Sequence, residues 1–362
     1  MKKISSAIFL AALLVFINCK NNAGDAVGKG NDEKDSVKTF YESIIKLGNG
    51  FIDVFNAFSG LVADTFFKSD PKKSDLKTYF ESISNTLTAT KSKLDELGSS
   101  SKKGENGGGN GNGKASVKSA VDEVSAWLGE MIKAAADAAK VGEGGGDKIG
   151  DADNNGAQAD ASSVKGIAKG IKGIVDAAGK ALGEGDALKD VKEAAGDGGN
   201  KEAGKLFGTR AGANAGDIAK AAAAVSAVSG EQILKAIVAA AAGEDQEGAA
   251  AGDAKNPIAA AIGAAGAQGA EFGQADMKKN DKIAAAIVLR GVAKSGKFAV
   301  DGGGNDKKAS VKSAVESAVQ KTFAALTGVV RKAAEAGLKK VAEGVQKQKS
   351  ESGEADNQSA VN

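Results

Sequence analysis

Apolar residues recur at steps of three and four over most of the chain, the period of one face of an α-helix. From Ser36 the stripe runs Val37, Tyr41, Ile44, Phe51, Phe55, Phe58, Val62 and Phe66, with Gly48 and Gly50 weakening its middle. Residues 68–72 then turn the chain, with Asp70 as the expected N-cap and Pro71 at the first helical position. The next stripe, Leu76, Phe80, Ile83, Leu87, Thr90, Leu94 and Leu97, alternates steps of four and three, the a/d seam of a packed helix pair, and stops at Gly98. These two segments predict an antiparallel helical hairpin. Nine of the fourteen aromatics beyond residue 18 lie between Phe40 and Phe80, so the deepest core is expected there.

Residues 99–113 are Gly, Asn, Ser and Lys and read as a loop. Ser116 is placed to cap a third helix to about Lys140, carrying Val117, Val121, Val124, Trp127, Leu128 and Ile132. Gly-rich patches at 142–156 and 183–216 alternate with Ala-rich helices predicted at 164–182, 218–242 and 258–267. A long last helix is predicted over 309–346, with Val311, Val315, Val319, Phe323, Leu326, Val330, Ala334, Leu338, Val341 and Val345 on one stripe. It is long enough to lie along the first hairpin. Residues 350–362 form a polar tail. The eight residues KASVKSAV occur at 114–121 and again at 308–315, each time after a Gly-Asn loop and opening a helix.

Composition narrows the chemistry. With no His among 362 residues there is no imidazole base, Ser-His-Asp triad or His-bound metal, and one Cys permits no internal disulfide. The start of the chain explains that cysteine. Lys2 and Lys3 precede a mostly apolar run at 4–17, too short to span a bilayer, and Phe16-Ile17-Asn18-Cys19 follows. This is a lipoprotein-type signal peptide, 1–18, with Cys19 as the lipidated residue, although Asn18 replaces the usual Gly or Ala. Several acyl chains, at ~0.8 kcal/mol per buried CH₂, make such an anchor effectively permanent. Residues 19–35 are polar and read as a flexible tether. Without residues 1–18 the chain holds 46 basic and 46 acidic side chains, so no overall field favours nucleic acid.

Two motifs imitate ligand loops. Asp151-Ala-Asp153-Asn-Asn155-Gly156 opens like a calcium loop, but Ser162 stands where a bidentate Glu would close it. Residues 108–114 imitate a phosphate loop up to Lys114, but Ala115 replaces the Ser or Thr that holds Mg²⁺, and no strand precedes it. No catalytic residue, cofactor site or metal site is therefore predicted. Residues 306–349 hold ten basic and four acidic side chains, an excess of six that reads either as a solvated face or as a surface for anionic headgroups or sulfated host polysaccharide.

Residues 277–300, MKKNDKIAAAIVLRGVAKSGKFAV, closely resemble the invariable peptide of the variable large protein and VlsE-like surface lipoproteins of Borrelia. The resemblance extends to the leader ending FINC, to SVKTFYESIIKLGNGFIDVF from Ser36 and to the Ala-Gly middle. It implies an all-α fold: an elongated helical bundle with long N- and C-terminal helices packed together, an Ala/Gly-rich distal helical region and at most a few very short strands. A helical domain at 36–349 is then divided into a membrane-proximal scaffold of 36–97 and 309–346, a distal variable-type region at 98–276 and an invariable-type helix at 277–300. The implied function is that of a variable antigen on the extracellular face of the outer membrane, whose switched or recombined surface evades host antibodies. The alternative is an adhesin for host glycosaminoglycan on the basic C-terminal face. The resemblance implies host antibodies as partners; the leader adds outer-membrane lipid through Cys19, and the apolar Ala-rich surface allows, without demanding, a weak homodimer. Read alone, Ile283, Ala284 and Ile287 give 277–300 an apolar stripe that needs a covering partner.

Overall fold

The computed structural model describes residues 56, 58, 60–102, 111–142, 147–210, 212–243 and 247–358, apart from the side chains of 100–102, 111–116, 303 and 346–358. Cys19, the tether and most of the first predicted helix lie outside the described residues. What is described of that helix, residues 56, 58 and 60–66, ends in a buried Phe66. Phe66 stacks on Phe323 at 5.0 Å and lies 5.4 Å from Tyr79, and Phe80 meets Phe323 edge-on at 6.0 Å. This aromatic corner joins the start of the described chain to its last helix, distant in sequence but adjacent in the core, and the Tyr79 hydroxyl donates to the Phe323 carbonyl at 3.0 Å.

Helix α1, Asp75–Lys102, buries every residue of its predicted seam. It starts later than expected because Asp70 is not its cap. Asp70 adopts φ 54° in a turn, Pro71 and Lys72 are drawn into an extended pairing with residues 148–149, and Asp75 accepts from the Lys72 amide at 2.7 Å. The Asp70 carboxylate instead bridges Lys148, at 3.0 Å, and Lys312, and both cations hold it below the usual carboxylate range. The helix also continues past Gly98, because that glycine lets Val121 of α2, Gly111–Val141, approach to 3.0 Å from where a Cβ would stand. Ser125 of α2 donates to Asp95 of α1 at 2.7 Å, and Gly142 lies against the Lys77 backbone, so the two helices are antiparallel.

Two helices pack on α2 through glycine. In α3, Ala161–Ala181, Gly166, Gly170 and Gly173 face Val141, Ala138 and Ala134. A Cβ on Gly166 would stand 2.8 Å from Val141, one on Gly173 2.9 Å from Ala134, and one on Gly170 would collide with Ala138. The last helix, α8, Asn305–Gln358, seats Gly337 under Trp127 and pairs Lys340 with Glu123, so it too runs antiparallel to α2. The N-terminal half of α2 therefore lies beside the C-terminal half of α8. Helix α8 begins before the predicted 309 and extends through most of the polar tail to 358. At 54 residues it is ~81 Å long.

The Ala-rich middle departs most from its pattern. The single helix expected over 218–242 is two, α4 Ala215–Ser226 and α5 Gly230–Ala241, bent by 97°. Ser229 and Gln232 form a capping box that starts α5 afresh. Gly230 lies so close to the Lys321 carbonyl of α8 that no side chain fits. The helix expected over 258–267 is only α6, Pro257–Ile262, ended by Gly263 at φ 78°. Within the Gly-rich patches, a 3₁₀ turn forms at Lys201–Phe207 and a two-residue strand β1, Ala152–Asp153, pairs in parallel with β2, Phe298–Ala299. Helix α7, Asn280–Val292, completes the fold between them. Among the described residues the core is continuous from Phe58 to Val341, well beyond the part of the first hairpin that is described.

Gly170→Ala should destabilise the protein by about 1–3 kcal/mol, because its methyl has no room against α2. Gly129→Ala, at a helical position with nothing within 4 Å, should stabilise it by about 0.5–1 kcal/mol. Urea midpoints of the two variants, shifting in opposite directions, check this.

Candidate functional site

Residues 277–300 occupy the centre of the molecule. Eleven of the thirteen residues of α7 are buried, so the predicted stripe is covered all round. Its sequence allows this because Ala284, Ala285 and Ala286 let neighbouring backbones approach on the side where Ile283 and Ile287 do not point. At its start Asp281 accepts from the Ala194 amide at 3.3 Å, and a 3₁₀ turn at Ala275–Lys278 buries Met277. At its end Ser295 turns the chain at φ 63° into β2. Gly291 admits the Val315 side chain of α8.

The one charge in this helix's apolar run is fully buried. Arg290 donates through Nε to the Lys297 carbonyl at 3.2 Å, through one terminal nitrogen to Ala261 at 3.2 Å and through the other to Ala157 at 2.7 Å. Phe207 and Phe298 lie 5.4 and 6.0 Å from the guanidinium carbon, close enough for cation–π attraction. Desolvation pushes its pKa down to about 9, so it stays charged at neutral pH. A second buried cation, Lys73, reaches from the turn before α1 to the Gly296 carbonyl. Burial lowers its pKa to about 8; Asp147 and Asp151 oppose this, while Arg290 and Lys297 add to it. Neither residue was singled out from sequence. For Arg290 a signal existed, a lone cation inside IAAAIVLRGVA; Lys73, within a run of Lys, Ser and Asp, gave none.

The loops above this centre are open. Residues 183–199 are exposed except for Ala187, Leu188, Val191 and Ala194, and 273–276 are exposed throughout. The calcium-like motif is used differently from a cation loop: Asp151 pairs with Lys297 at 3.3 Å, Asp153 with Lys308 at 2.8 Å, and their carbonyls accept from Phe298 and Val300 in the sheet. Among the described residues no three acidic or Cys side chains cluster as a metal site would require. Of the phosphate-loop imitation, residues 111–114 are the first turn of α2, and 108–110 lie outside the described residues. The basic C-terminal stretch is largely paired with carboxylates from other elements. Lys307 meets Asp301, Lys308 Asp153, Lys312 Asp70, Lys332 Glu231 and Lys340 Glu123. These five acids reduce the local excess of six to one.

Fold and site together define an all-α scaffold, closed around one buried helix and open at its loops. The chain belongs to the Borrelia lipoprotein family, whose pattern it matches over residues 51–345. It is 36% identical to Variable large protein 4 of Borrelia hermsii over 99% of this chain and 97% of that one. To Variable large protein 17 of the same organism it is 37% identical, over 90% and 87% of the two chains. It is also similar to the crystal structure of the Lyme disease variable surface antigen VlsE of Borrelia burgdorferi, with a TM-score of 0.71 and 48% identity over 85% of this chain and 99% of that one.

Two expectations follow. Amides of residues 283–292 should exchange with solvent only on global unfolding, measured as the slowest class in native-state hydrogen exchange. For Lys73, the folded pKa of about 8 lies below the ordinary 10.5, so between these values the unfolded chain binds more protons and stability rises with pH. The slope of urea midpoint against pH in that window should be smaller in Lys73→Met.

Proposed function

We propose that this protein is a variable surface antigen, anchored through acylated Cys19 in the outer membrane with its helical domain outside the cell, and that replacement of its exposed segments removes the targets of host antibodies. No residue is catalytic in this reading. The observation that carries it is the separation between a fully covered centre, α7 with Arg290, and open loops such as 183–199. Exposed loop positions tolerate substitution, so most of 183–199 can change while the backbone bond from Ala194 to Asp281 of α7 is kept. The names of the relatives, variable large proteins and a variable surface antigen, support the same reading. The pairing of the C-terminal lysines favours it over a glycosaminoglycan adhesin, because little unpaired positive charge is left there for a polyanion.

Trypsin added to intact cells should cut first at the exposed Lys189 and Lys192, while the bond after the buried Arg290 stays intact, as followed by mass spectrometry of the released peptides. Cys19→Ala should release the protein from the membrane fraction. Complete protection from trypsin until the outer membrane is broken would place the domain in the periplasm and defeat the proposal.

A further inference from the structure

We propose that Asn155 is a site of spontaneous deamidation in the folded protein. Asn155–Gly156 is the one Asn-Gly pair among the residues whose side chains are described, and Asn155 is exposed. Among the described residues its carboxamide has no hydrogen-bond partner, and neither has the Gly156 amide that follows it. Other loop and cap asparagines are held: Asn200 donates to Gly198 and Asn280, Asn214 accepts from Asp217, and Asn256 accepts from Ala259. The nucleophile and its target are thus both free at Asn155 alone of this set.

The Gly156 nitrogen attacks the Asn155 Cγ, ammonia leaves, and a five-membered succinimide forms. Water then opens either imide carbonyl, giving Asp or, with one extra methylene in the main chain, isoaspartate. The sequence cannot escape this chemistry by changing the glycine. A Cβ on Gly156 would collide with the Gly208 carbonyl and stand 2.9 Å from that of Lys297. Both ends of the short turn are fastened, Asp153 through its carbonyl to Val300 at 2.8 Å and Ala157 through paired bonds to Lys297 at 3.1 and 3.2 Å. Isoaspartate would lengthen a turn that has no slack and shift Ala157, whose carbonyl is an acceptor for Arg290. Either product adds a carboxylate beside Asp151 and Asp153.

The test is incubation of the purified, folded protein in mildly alkaline buffer, followed by mass spectrometry of the peptide spanning 149–165 and enzymatic methylation of isoaspartate. The expected result is a time-dependent unit mass gain in that peptide, divided between Asp and isoaspartate, and absent in Asn155→Gln. Because the side chain is exposed and unbonded, Asn155→Gln should fold normally, which circular dichroism checks. The proposal is overturned if Asn155 stays intact in the folded protein while it converts in the same protein held in urea. It is equally overturned if Asn200, Asn214 or Asn256 converts as fast in the folded state.

Discussion

Arg290 is a full positive charge with no exposed surface and, among the described residues, no carboxylate paired with it. A buried cation of this kind is tolerated only if its nitrogens find acceptors, since an unpaired buried charge is destabilising by several kcal/mol. The acceptors here are three backbone carbonyls, at residues 157, 261 and 297, from segments far apart in sequence. None can be displaced without exposing the charge to an apolar surrounding. The end of α6, the turn after β1 and the entry to β2 are therefore fixed with respect to α7 as a group. Lys73 ties the start of α1 to the same group through Gly296. The directional bonds of two cations thus locate what the surrounding alanines leave unspecific.

Those alanines explain why such bonds are needed. A methyl side chain buries little area, so a core built from Ala and Gly gains its contacts from close backbone approach more than from large interlocking groups. The α2–α3 contact shows the geometry, with three glycines of one helix laid along Val141, Ala138 and Ala134 of the other. Aromatic rings cluster at two places: Phe66, Tyr79, Phe80 and Phe323 at the hairpin corner, and Phe207 and Phe298 beside Arg290 with Phe272 against Phe207. Between them the packing is fine-grained and depends on register.

The long stripes were legible because they combine large apolar residues with a sustained period. The seam of α1 and the course of α8 follow directly from it. The Ala-rich segments were not legible in the same way. Alanine carries no face, so periodicity in 218–242 did not mark where one helix would stop and another start; the signal present was the Ser229-x-x-Gln232 capping box, and the carbonyl pressing on Gly230 adds to it. Asp70-Pro71 misled because the pattern of a cap is equally that of a turn, and the decision came from residues 148 and 312, far away in sequence. The buried centre was half legible: Ile283 and Ile287 required a partner, but covering on every side depends on neighbours that periodicity does not identify. The paired lysines of α8 were illegible, since their acids lie on five other segments.

From their first valine onward, 117–121 and 311–315, the duplicated KASVKSAV entries are buried alike. In each the final valine meets glycine, Val121 against Gly98 and Val315 against Gly150 and Gly291. A chain that is still collapsing thus carries two interchangeable keys and two kinds of lock, a source of mispairing. Chain order resolves the ambiguity. Closing Gly98 onto the first copy forms a loop nearly tenfold shorter than closing it onto the second, a loop-entropy advantage of about 2 kcal/mol. The α1–α2 hairpin can therefore claim its own copy first, leaving the other to α8 when the slower, long-range contacts with residues 150 and 291 assemble.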